Sequence, residues 1–188
     1  MPEKINIGFG IDKNFGKFAG ITITSLAHNN IGHELVVHII YDELLPEDLE
    51  KLLQTEALYR NLTLRFYQIK STEGMTFVVP PGHITQAMYY RYLFADMLPR
   101  EITKIIYLDA DIICKGDILP LWQTDLQGRV LGAVRDYGED RSSCFSGWKP
   151  LAIPKSSGAT RTRSMALSTA SLPNCRRFLT VSLSIIRH

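Results

Sequence analysis

The chain has 188 residues, enough for one α/β domain with a real core and an appended segment. Its 45% hydrophobic and 21% charged residues are ordinary for a globular protein, and no run of eighteen apolar residues occurs, which excludes a membrane-spanning helix. The net charge of +2 is unevenly spread: residues 1–141 hold 14 basic and 19 acidic side chains, whereas residues 142–188 hold seven basic and none acidic.

Met1-Pro2-Glu3-Lys4 is not followed by an apolar signal segment, so a cytoplasmic location is expected. Ile5–Gly10 is short and β-branched and predicts a strand. Residues 16–29, with Phe18, Ile21 and Leu26 among small residues, predict a helix. Leu35–Tyr41 is a continuous apolar run, as expected of a strand buried on both faces of a parallel sheet. Pro46 opens the next helix, where Glu47 and Asp48 complement the positive N-terminal dipole and Leu49, Leu52 and Leu53 form an apolar stripe. Leu62, Leu64 and Phe66 alternate through a third strand.

Gly74–Gly82, with Pro80-Pro81, predicts a loop, and Ile84–Leu98 a helix ending near Pro99. Thr103–Leu108 is a strong strand pattern and Val130–Arg135 another. The alternation of strands and helices predicts an α/β fold: a mostly parallel sheet with helices on both faces. Cys114, Cys144 and Cys175 form no disulfide or zinc pattern and read as reduced thiols.

Asp109-Ala110-Asp111 follows the apolar run Ile105-Ile106-Tyr107-Leu108, at the carboxyl end of a strand where open α/β sheets bind ligands. Residues 109 and 111 can face the same way, and two adjacent carboxylates repel each other. A divalent cation relieves that repulsion, and hard oxygen ligands suit Mn2+ or Mg2+, which can in turn hold two phosphates. Taken alone, a bare Asp-x-Asp equally fits a capping aspartate beside a solvated one. Phosphatases with paired aspartates carry them after the first strand, whereas this pair follows several elements.

The wider pattern decides between these readings. Tyr107–Ile113, Gly116-Asp117-Ile118 and Leu121-Trp122, with Ile5–Asn14, Tyr89–Tyr92 and Leu131–Asp136 in the same order, resemble the retaining family-8 glycosyltransferases of GT-A fold. The similarity covers roughly residues 3–140 and is strongest to bacterial lipopolysaccharide core glucosyl- and galactosyltransferases. It implies donor contacts from Gly10, Ile11, Asp12, Asn14, Arg91, Asp109, Ala110 and Asp111, and metal ligation by Asp109 and Asp111. It also implies acceptor contacts near His83 and Ile84, with Asp136 beside the donor sugar as the catalytic candidate. Gly10 is expected to let backbone approach the nucleotide.

The implied reaction transfers a hexose from UDP-glucose or UDP-galactose to a lipopolysaccharide core acceptor with retention, using Mn2+ or Mg2+. The implied setting is the cytoplasm, with peripheral association to the inner membrane and no nucleic acid partner. The alternative is a UDP-sugar-binding remnant without turnover.

Two units are expected, a nucleotide-sugar-binding GT-A unit over residues 1–141 and a divergent basic tail over 142–188. The family's histidine followed by Lys-Pro-Trp is missing, since Trp148-Lys149-Pro150 has the letters in another order, and His188 is terminal. The fold is therefore expected to be truncated and the transferase impaired. For the tail, an out-of-frame segment is favoured over a disordered extension or a basic arm for nucleic acid or lipid. Apart from the short Leu179–Ile186 stretch it keeps no apolar period, so it is expected not to complete the sheet.

Overall fold

A computed structural model of the chain describes residues 2–70, 86–127, 129, 131–133 and 177–181. The described elements are β1 (Lys4–Ile11), α1 (Gly16–Asn29), β2 (Glu34–Tyr41), α2 (Pro46–Leu58), β3 (Leu62–Gln68), a 3-10 helix (Gln86–Tyr92), α3 (Phe94–Met97), β4 (Lys104–Leu108), α4 (Leu119–Trp122), β5 (Leu131–Ala133) and β6 (Arg177–Val181). Among the described residues the strands form one six-stranded sheet in the order β3-β2-β1-β4-β6-β5, every adjacent pair parallel.

Alternation along the strands splits the core in two. Ile5, Ile7, Phe9 and Ile11 of β1, Leu35, Val37 and Ile39 of β2, and Ile106 and Leu108 of β4 join one cluster with Ala19, Ile23, Leu26 and Leu52 of α1 and α2. Ile40, Ile105 and Tyr107 point to the other face and pack against Ala87, Tyr90, Leu93 and Phe94. Every residue from Leu35 to Ile40 is buried, as the unbroken apolar run requires. In the helices the stripes are narrower than expected. Leu26 and Leu52 are buried, whereas Phe18, Ile21 and Leu53 are exposed.

The helix expected over Ile84–Leu98 is two pieces where it is described, a 3-10 helix to Tyr92 and the single turn α3. The reason is packing: Ala87, Tyr90 and Leu93 are buried at every third position, and a 3-10 helix brings residues three apart into line. The expected strand Val130–Arg135 is described only as Leu131–Ala133, and the loop Gly74–Gly82 lies outside the described residues.

The expectation that no tail residue completes the sheet fails at Arg177–Val181, which pairs in parallel with both β4 and β5. Phe178-Leu179-Thr180-Val181 is a run of strand-favouring residues, and the edge of β4 offers unpaired backbone groups. Averaged over the whole tail, composition conceals so short a segment. No helix among the described residues is long and apolar enough to cross a membrane.

Strand order places the site. From β1 the chain runs outward to β2 and β3, then returns to lay β4 on the other side of β1. That reversal opens a crevice outside the carboxyl ends of β1 and β4, the usual ligand position in such sheets.

Candidate donor site at the ends of the first and fourth strands

β1 and β4 run in register, with Ile7 opposite Ile106 and Gly8 opposite Tyr107. Their carboxyl ends therefore lie side by side, Gly10 and Ile11 followed by Asp12 on one and Leu108 followed by Asp109, Ala110 and Asp111 on the other. Adjacent strands are about 4.8 Å apart.

Asp12 is 9% exposed, and its carboxylate accepts the Asn14 N–H at 2.8 Å, while its carbonyl accepts the Phe15 N–H at 3.0 Å. This is the local Asx turn expected of an aspartate at a strand end. It holds the Asp12 carboxylate against a cavity of about 250 Å³ lined by Asp12, Lys13, Asn14, Asp42, Glu43, Gln86, Ala87 and Tyr90. The Tyr90 hydroxyl is buried there without a hydrogen-bond partner among the described residues. Burial, then the facing Asp42 and Asp12, raise its pKa well above the ordinary value, so it stays a donor.

Arg91 is half-buried (27% exposed) rather than an exposed helix arginine. Its Nε donates to the Met88 carbonyl at 2.7 Å, and its guanidinium lies 4.7 Å from the centre of the Tyr107 ring. One Nη is 3.7 Å from Asp109, itself 24% exposed. The Tyr107 pKa is pushed up to about 12, first by burial, with Arg91 opposing and Asp109 adding. The Gly10 N–H and Asp111 also act on that hydroxyl, the first lowering and the second raising its pKa. Gly10, Arg91 and Asp109 thus meet around one tyrosine, on whose charge Asp111 acts least.

Asp111 is exposed, and Ala110 is buried. Ile11 is wholly buried in the core, so its part in the site is packing. At Gly10 packing gives a further reason for the missing side chain. A Cβ there would come within 2.9 Å of the Tyr90 Cβ and 3.1 Å of the Ala87 carbonyl oxygen. The missing side chain makes room for the 3-10 helix.

Gly10→Ala is therefore expected to lower stability by about 1–3 kcal/mol, since neither atom is the end of a flexible side chain. The gain from restricting the unfolded chain, about 0.4–1 kcal/mol, is smaller. Urea denaturation checks this, and an unchanged midpoint would show that the helix yields freely.

His83, Ile84 and Asp136 lie outside the described residues. The cavity residues Lys13, Asp42, Glu43, Gln86 and Tyr90 were not legible as a set, because three separate segments supply the wall. Nor was the contribution of α1, whose Thr22 hydroxyl reaches the Ala110 carbonyl at 2.7 Å. Among the described residues no group of three or more His, Cys, Asp or Glu converges as a metal site.

Comparison with known proteins bears on the family and the fold. The profile described as glycosyl transferase family 8 matches residues 6–168, running past residue 141 where the composition changes. The chain is 31% identical over 134 residues to a lipopolysaccharide 1,2-glucosyltransferase of Escherichia coli K12, covering 71% of this chain and 39% of that protein. It is 31% identical over 138 residues to a lipopolysaccharide 1,3-galactosyltransferase of Salmonella typhimurium, covering 73% and 40%. The chain thus spans about two fifths of the length of these relatives. A crystal structure of the galactosyltransferase LgtC with donor and acceptor sugar analogs superposes with a TM-score of 0.58 at 19% identity, over 74% of this chain and 50% of that one. An active-site mutant of LgtC gives 0.59 at 22% identity, over 74% and 49%.

Proposed function

We propose, from the premise that this chain belongs to glycosyl transferase family 8 and has the GT-A fold, that it binds a UDP-hexose in the β1–β4 crevice and serves transfer of the hexose to a lipopolysaccharide core acceptor with retention. The observation that carries this reading is the pairing of Arg91 with Asp109 at the carboxyl end of β4, with Asp111 two residues on and Asp12 at the end of the neighbouring β1. The donor in this reading is UDP-glucose or UDP-galactose, which is supported by relatives named for glucosyl and galactosyl transfer. In this reading the protein works at the cytoplasmic face of the inner membrane.

In this reading Asp12 and Asn14 accept and donate hydrogen bonds at the base and ribose, and Tyr90 supplies its free donor there. Arg91, held in place by Met88 and Tyr107, presents a fixed cation to the diphosphate. Asp109 and Asp111 would hold Mn2+ or Mg2+. Two carboxylates fit such an ion, which commonly takes its other ligands from phosphate and water. When bound, the ion would neutralise charge on the departing diphosphate. The protein's own share is to place donor and acceptor and to exclude water. Residues 1–141 form the donor-binding unit.

A second reading, UDP-sugar binding without turnover, draws on the two-carboxylate set seen among the described residues. Calorimetric titration with UDP, with and without Mn2+, followed by transfer from labelled UDP-glucose or UDP-galactose to a purified lipopolysaccharide core, tests both. Metal-enhanced binding and transfer are expected. Binding without transfer selects the second reading, and absence of UDP binding with Mn2+ present sinks the donor site.

A further inference from the structure

We propose that α1 positions the metal-motif loop, with Thr22 as the positioning residue for Asp111; this rests on the reading of Asp109 and Asp111 as metal ligands. Hydroxyl side chains inside helices usually bond back to their own helix. Thr24 does so, donating to the Gly20 carbonyl at 2.7 Å, and Ser25 donates to the Thr22 carbonyl at 2.7 Å. Thr22 does not. Its side chain is 0% exposed, and its hydroxyl lies 2.7 Å from the Ala110 carbonyl oxygen and 2.6 Å from that of Ile112, so its one hydrogen is shared between them.

These carbonyls flank Asp111 on either side. With both turned toward α1, and with Ala110 and Ile112 buried, the residue between them is left facing outward. The same helix face continues the hold. Ser25 accepts the Cys114 N–H at 2.9 Å, and the Asn29 amide donates to the Cys114 carbonyl at 3.0 Å. Thr22, Ser25 and Asn29 are spaced three and four residues apart, hence on one face. At the end of α1, Asn30 accepts the Ile118 N–H at 2.8 Å.

All five contacts reach main-chain atoms of residues 110–118. The helix therefore holds the loop at several points, beside the loop's own Cys114–Gly116 and Asp117–Leu119 contacts. A carboxylate that must meet an ion with little freedom gains from a backbone held at both neighbours.

The test measures Mn2+ binding in the presence of UDP by the electron paramagnetic resonance signal of the free ion. Thr22→Val removes the hydroxyl at nearly constant shape, and Thr22→Ser restores it. The Mn2+ dissociation constant is expected to rise about tenfold or more in Thr22→Val and to return to near the native value in Thr22→Ser, with metal-free UDP binding unchanged. A folded Thr22→Val protein with native Mn2+ affinity overturns the proposal. If Thr22→Val does not fold, Ser25→Ala takes its place: weaker Mn2+ binding supports the positioning role and unchanged binding refutes it. A native protein that binds no Mn2+ with UDP present overturns the donor-site reading itself.

Discussion

Alanine at either Asp109 or Asp111 is expected to abolish Mn2+-dependent sugar transfer and the metal-enhanced part of UDP binding, at a cost of several kcal/mol in transition-state stabilisation. Both carboxylates stand at the carboxyl end of β4 with access to solvent, so their removal costs the fold little, within about 1 kcal/mol. Asp109→Ala also releases Arg91 from its 3.7 Å pair. Asp109→Asn keeps the shape at that position and removes the charge, so it separates loss of charge from loss of volume. Circular dichroism and urea midpoints near native, together with lost transfer, are the anticipated results. Near-native transfer by either alanine variant in the presence of a chelator would refute the metal role.

A second large effect lies in the pH dependence of stability. His38 is 2% exposed in the middle of β2, with Nδ1 3.0 Å from the Tyr67 hydroxyl and Nε2 3.1 Å from Asn6 Oδ1. Burial first, then Arg65 and Lys4, lower its pKa from 6.5 to about 4. Between those values the unfolded chain binds a proton that the folded protein refuses. Stability therefore falls as pH drops from 6.5 and levels off below about 4.

The full loss from this residue is about 3 kcal/mol, from 1.36 kcal/mol for each pKa unit. Urea unfolding at pH 7 and pH 4 measures the total. The same pair of measurements on His38→Gln removes the imidazole and should show a drop smaller by that amount. An identical drop in both proteins would show that His38 is not buried in its neutral form.

Legibility in the sequence followed the range of the interaction. β1, β2, β3 and β4 and the helices α1 and α2 were readable because each carries a local period or an unbroken apolar run, with Pro46 marking one start. Asp109 and Asp111 were readable because a strand pattern ends immediately before them. The broken helix after residue 85 was not, since its turn type answers to Gly10 and the sheet surface beneath it. β6 was not, since five residues gain their strand partner from β4, more than seventy positions earlier.

By itself, then, the sequence determined which segments become strands and helices and that two carboxylates follow a buried strand, because these depend on neighbours in the chain. Only the tertiary structure decided that β4 returns beside β1, which brings Arg91 onto Asp109 and Tyr107. It alone decided that Thr22, 88 residues from Ala110, reaches the metal-motif loop. Such contacts arise when side chains on different elements compete for the same buried space and the same unpaired backbone groups, and that competition has no period along the chain.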